Sequence, residues 1–130
     1  MSIRLIFDSS DLLAYAAGDV RALELSELIA NVEENGDICG IPALCVVESY
    51  RQVDADGKVK LLELASNDDG RTEVLPLLAA DIARLADLLR RLPHDQAQAV
   101  VASEAHDALL GTYDRRAYAD VVDEYEILDL

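Results

Sequence analysis

Residues 3–18 read Ile3-Arg4-Leu5-Ile6-Phe7-Asp8-Ser9-Ser10-Asp11-Leu12-Leu13-Ala14-Tyr15-Ala16-Ala17-Gly18, and this stretch decides the fold. Ile3, Leu5 and Phe7 alternate with Arg4 in a short run that ends at Asp8, which predicts a strand. Asp8 to Asp11 then makes a turn, from which Ser9, Ser10 or Asp11 can cap an apolar helix over Leu12 to Ala17 that Gly18 stops. A strand running into a helix is the first half of an alternation that continues to the end of the chain.

Asp19 caps a second helix, in which Val20, Leu23, Leu28, Ile29 and Val32 recur at mostly helical spacing until Asn35-Gly36. Ile38 to Ile41 is a short apolar segment, and Pro42 suits the first turn of a helix that runs to about Val53. Asp56-Gly57 predicts a turn, Lys58 to Ala65 a short helix, and Asn67-Asp68-Asp69-Gly70 the most loop-like stretch. Thr72 to Leu75 reads as a strand. From Leu78 the residues Ile82, Leu85, Leu89 and Leu92 follow at helical spacing, an amphipathic helix that Pro93 closes. An Ala-rich helix opens at His94-Asp95, and a strand (Leu109 to Thr112), a helix (Asp114 to Ala119) and a last strand (Tyr125 to Leu128) complete the pattern. Strands separated by helices predict a three-layer α/β/α arrangement with a central, mostly parallel sheet, in one domain over residues 1–130.

The chain carries 26 Asp plus Glu against 11 Lys plus Arg, a net charge of −15. Such a surface cannot neutralise phosphates through its overall charge, so any nucleic-acid contact must come from a local basic feature. The longest apolar runs, Ile41 to Val47 and Val74 to Ala80, fall far short of the roughly 20 residues that span a bilayer. No membrane association is expected, and with no secretory h-region near residue 1 a cytoplasmic location is. Cys39 and Cys45 sit in apolar surroundings without a second pair or an adjacent His, which predicts buried reduced thiols rather than zinc. Gly57-Lys58-Val59 lacks the Ser or Thr and the upstream Gly of a phosphate-binding loop, and no G-x-G-x-x-G occurs.

In open parallel sheets ligands bind beyond the carboxyl ends of the strands. Asp8 ends the first strand and Asp114 follows the strand Leu109 to Thr112, so both should project from one edge. Asp95 opens a helix, where the dipole favours a carboxylate, although for each Asp a helix cap is the competing reading. Glu48 lies in the otherwise uncharged stretch Ile41 to Tyr50, and a buried carboxylate there needs a proton, a partner or a metal. Arg51, Arg115 and Arg116 follow Glu48 and Asp114 closely and are placed either to meet substrate phosphates or to balance nearby acids.

Ile6-Phe7-Asp8-Ser9-Ser10, Pro42 to Glu48, Asp95 with Ala99, Ala102 and Ala105, and Leu109-Leu110-Gly111-Thr112-Tyr113-Asp114-Arg115-Arg116 together resemble the PIN domain family. This family comprises small metal-dependent nucleases and includes the VapC toxins of bacterial toxin–antitoxin pairs. The resemblance implies a metal-binding and catalytic quartet of Asp8, Glu48, Asp95 and Asp114, with Ser9 and Thr112 as polar neighbours. It also implies Mg²⁺ or Mn²⁺ as cofactor, RNA as substrate, an antitoxin protein as partner, and a homodimer. Clustered carboxylates repel unless a cation neutralises them, and an all-oxygen set selects a hard ion. Two functions follow from this: a metal-dependent endoribonuclease, which the quartet favours, and a non-catalytic PIN-scaffold protein-binding module, which the negative charge outside the site favours.

Overall fold

Strand β1 (Ile3–Phe7) lies in the middle of the sheet, with Leu5 and Phe7 buried on one face and Ile6 on the other, while Arg4 reaches solvent. The computed structural model describes residues 2–66 and 70–130. After β1 come α1 (Ser9–Ala17), α2 (Val20–Glu34), β2 (Ile38–Pro42), α3 (Ala43–Gln52), α4 (Ala55–Ser66) and β3 (Thr72–Leu75). The chain continues through α5 (Ile82–Leu88), α6 (His94–His106), β4 (Leu109–Thr112) and β5 (Ile127–Asp129). The order is β3-β2-β1-β4-β5, and every pairing is parallel.

On one face Leu5 and Phe7 pack with Ala14 of α1 and Leu25 and Ile29 of α2. On the other, Ile6, Ile41 and Leu110 pack with Ala97, Val100 and Val101 of α6. The three-layer α/β/α architecture is therefore the one the alternation of strands and helices predicts. The chain builds outward from β1 to β3 on one side and then crosses to β4 on the other, so the strand order reverses between β1 and β4. Such a reversal opens a crevice above the carboxyl ends of the two strands. Asp8 and Asp114 stand there.

Several boundaries differ from the sequence reading. Asp8 itself is the N-cap, and Ser9, Ser10 and Asp11 form the first turn of α1. Pro42 ends β2, paired with Leu75, and sits one residue before α3. Asp56-Gly57 is not a turn but lies in the first turn of α4, because the Asp54 side chain accepts the Gly57 N–H at 2.8 Å. A Cβ at residue 57 would lie 2.8 Å from Val53 Cβ, so glycine is required by packing. The amphipathic run from Leu78 opens with a 3₁₀ turn over Ala79–Asp81, where Asp81 caps the Leu78 N–H, and continues as seven α-helical residues before the chain tightens after Leu88. Residues 115–118 and 124–126 form short 3₁₀ turns instead of a longer helix and strand. Of the expected loop Asn67 to Gly70, residues 67–69 lie outside the described residues. Among the described residues no helix is long and apolar enough to cross a membrane.

One buried amide joins three of these elements. The N-cap of α3, Pro42, has no side chain to offer as a cap, and Gln98 of α6 supplies the acceptor instead. Its Oε1 accepts the Leu44 N–H at 2.8 Å and its Nε2 donates to the Leu75 carbonyl at 2.9 Å. Gln98→Leu leaves both main-chain groups without a partner and should destabilise the protein by about 2–4 kcal/mol in urea unfolding. An unchanged unfolding midpoint would contradict this role.

Candidate functional site

The site is built outward from Asp8, which is only 1% exposed. Asp8 Oδ1 accepts from Ser10 Oγ at 2.5 Å and from the Asp11 N–H at 3.2 Å, while Oδ2 accepts from Thr112 Oγ1 at 2.6 Å and Tyr118 OH at 2.8 Å. A carboxylate offers about four acceptor positions, and all of them are filled. These donors arrive through the β1–β4 register, which sets Phe7 beside Gly111 and so brings Thr112 next to Asp8. Ser10 Oγ also accepts the Tyr113 N–H at 3.0 Å. Burial and the charge of Asp8 raise the Tyr118 phenol, so it stays a donor.

Asp11 completes a reciprocal cap. Its Oδ2 accepts the Asp8 N–H at 2.9 Å, and Asp8 Oδ1 receives the Asp11 N–H in return. Asp11 Oδ1 is buried with no hydrogen-bond partner. Burial first, and then the adjacent charge of Asp8, holds this carboxyl well above its ordinary value of 3.8.

Asp95, half-buried in the first turn of α6, accepts the Ser9 hydroxyl at 2.6 Å, and its carbonyl accepts the Cys45 thiol at 3.2 Å. Asp114 is exposed, and its N–H donates to Thr112 Oγ1 at 2.9 Å. Ser9, Ser10 and Thr112 form a run of hydroxyls above β1 and β4 in which Ser10 and Thr112 bind the Asp8 carboxylate, Ser9 binds the Asp95 carboxylate, and Asp114 meets Thr112 only through its main-chain N–H. Glu48 is not drawn into it. Expected on a buried face, Glu48 is a half-exposed helix residue that binds Arg51 at 2.9 Å and Gln52 at 3.0 Å, although it lines a groove together with Asp95.

Of the two places expected for Arg51, at a phosphate or balancing a nearby acid, the structure shows the second, since Arg51 is occupied by Glu48. Arg115 is likewise held, by Glu124 at 3.0 Å and Asp129 at 3.6 Å. Cys39 and Cys45 are free, buried thiols, and burial pushes Cys39 up to about 12.

Among the described residues no group of three or more His, Cys, Asp or Glu side chains is placed to hold one ion. The donor chemistry nevertheless suits a hard divalent cation, since Asp95 Oδ1 and both oxygens of Asp114 carry no hydrogen bond within the described residues. Asp8 can join only when a hydroxyl turns away. Ser10, Asp11 and Tyr118 escaped the sequence reading as site residues. The one available signal was the tyrosine itself, because a Tyr hydroxyl that becomes buried must find a partner somewhere.

The PIN domain matches residues 5–123 of the chain. No curated protein matches it. The crystal structure of PAE2754 from Pyrobaculum aerophilum is similar in fold, with a TM-score of 0.63 at 21% identity, covering 99% of this chain and 92% of that one.

Because the folded state keeps the Asp11 proton after the unfolded chain has released it, stability from this group is complete below 3.8 and is lost as pH rises through the higher folded value. Asp11→Asn keeps an acceptor for the Asp8 N–H and removes the titration. The stability of Asp11→Asn relative to wild type should therefore increase from acid to neutral pH in urea titrations done in EDTA. A difference that stays constant with pH would show that Asp11 is not held protonated.

Proposed function

The chain belongs to the PIN domain family, whose members are typically nucleases, and we propose that it is a Mg²⁺- or Mn²⁺-dependent endoribonuclease that hydrolyses RNA phosphodiester bonds. In this reading it acts in the cytoplasm as the toxin of a type II toxin–antitoxin pair. The observation that carries the proposal is the set of hydroxyls of Ser9, Ser10 and Thr112 at the strand-order reversal, which bind the carboxylates of Asp95 and Asp8 and the main-chain N–H of Asp114. Exposed Val20, Leu23, Val59 and Leu62 on α2 and α4 supply apolar surface for an antitoxin protein or a second copy of the chain.

Each residue has a task in this account. Asp95 and Asp114 present free carboxylate oxygens to the cation, and Glu48 joins them from the shared groove when it leaves Arg51. Thr112 and Ser10 hold the Asp8 carboxylate, Ser9 orients Asp95, and the Asp114 N–H fixes the Thr112 hydroxyl. When bound, the cation supplies charge neutralisation for the phosphate and a more acidic water.

A second reading, a non-catalytic PIN scaffold that binds protein, is favoured by the four filled acceptor positions of Asp8 and by the Glu48–Arg51 ion pair. Cleavage of single-stranded RNA separates the two. Wild type should cut with Mn²⁺, stop in EDTA and recover when Mn²⁺ is returned. Asp114→Asn and Asp8→Asn should each lower the rate at least 100-fold, on the order expected when a group acting in the transition state is lost. Folded wild type that cuts no RNA with Mn²⁺ present would leave the scaffold reading standing.

A further inference from the structure

A chain of charge −15 repels a polyanion everywhere except where its cations stand clear of its own carboxylates. Six of the nine arginines are paired internally: Arg4 with Asp37, Arg21 with Asp19, Arg51 with Glu48, Arg71 with Glu33, Arg84 with Glu104, and Arg115 with Glu124. Arg90, Arg91 and Arg116 are exposed and have no carboxylate in ion-pair contact among the described residues.

These three are neighbours in space although they come from separate segments. Arg91 and Arg116 line one groove, in which Asp120 is the single acid, and Arg90 and Arg91 line the adjoining groove. Asp120 meets Arg91 through its carbonyl, at 3.5 Å, and not through its carboxylate. Asp120 lines the adjoining groove as well, where the other acid, Asp87, is engaged by Arg84 at 3.4 Å. Along the chain Arg116 lies two residues beyond Asp114 and Arg91 four residues before Asp95.

We infer that Arg90, Arg91 and Arg116 form the surface on which the phosphate backbone of single-stranded RNA docks beside the acid cluster. The inference rests on the ribonuclease reading above. Guanidinium groups bind phosphate oxygens through paired N–H donors, and here they are free to do so without first breaking an internal ion pair. Arg51 and Arg115, nearer to site acids in sequence, have to break one.

The test is fluorescence anisotropy with a labelled phosphorothioate single-stranded RNA, which keeps its charge but resists hydrolysis, in Mn²⁺ over a salt series. Arg90→Ala/Arg91→Ala/Arg116→Ala is compared with Arg4→Ala/Arg21→Ala/Arg71→Ala, which lowers the net charge equally, and with the triple Lys variant of the patch. Losing three phosphate contacts at roughly 0.7 each should flatten the log affinity against log salt slope by about 2, so that a fourfold rise in salt costs wild type about 20-fold more affinity than the patch variant. The control and the Lys variant should keep the wild-type slope, and circular dichroism should find all the proteins folded. A patch variant that matches wild type or the control in slope and affinity overturns the inference. If wild type then still binds RNA and cuts ordinary RNA, the ribonuclease reading survives and only the patch falls. Wild type that binds no RNA at the lowest salt sinks both.

Discussion

A carboxylate removed from water must be fully hydrogen-bonded, and Asp8 imposes that requirement on the centre of the molecule. Its four donors come from the first turn of α1, the end of β4 and the 3₁₀ turn that follows Asp114. One buried charge therefore sets the start of a helix, the alignment of the two central strands and the path of the chain 110 residues later. Register and site geometry are one constraint here. A slip of β4 against β1 would move Thr112 away from Asp8 and leave a buried charge short of a donor.

The same constraint creates the tension in the site. The donors that make a buried Asp8 tolerable occupy the oxygens that a cation would need. Asp11 meets its own burial differently, by keeping a proton, and Asp95 and Asp114 remain more open to solvent. Asp8, Asp95 and Asp114 thus have unequal availability, with Asp114 the most accessible and Asp8 the least. Electrostatics outside the cluster follow a parallel rule. Most arginines are consumed by the surplus of acids, and only those left over are available to an anionic partner.

Much of the fold was legible because most of the strands are short, largely apolar runs closed or followed by Asp or Pro, and because the helices between them keep apolar spacing. That Asp8 and Asp114 follow strand ends and that Asp95 opens a helix could be read from the sequence, since a strand end or a helix start is a local property. Local reading failed where tertiary contacts decide. Asp56-Gly57 looks like a turn until Asp54 caps the helix and Val53 packs against Gly57. Leu78 and Ile82 look like a core stripe but stay exposed, while Leu88 and Leu92 are buried. Glu48 sits in an apolar segment yet faces outward to Arg51, and the Tyr118 hydroxyl meets Asp8 across the whole chain. No spacing rule encodes which arginine finds an acid and which does not.

The proposed ribonuclease needs a cation held by the acids around Asp8. Anomalous X-ray diffraction from crystals soaked in Mn²⁺ tests it most directly, because the ion's position is read without reference to activity. The account predicts an anomalous peak bonded to carboxylate oxygens of Asp95 and Asp114, with Asp8 released by one of its hydroxyl donors to reach the same ion. Full soaking that leaves these carboxylates without a peak, with all four donors of Asp8 in place, would contradict it.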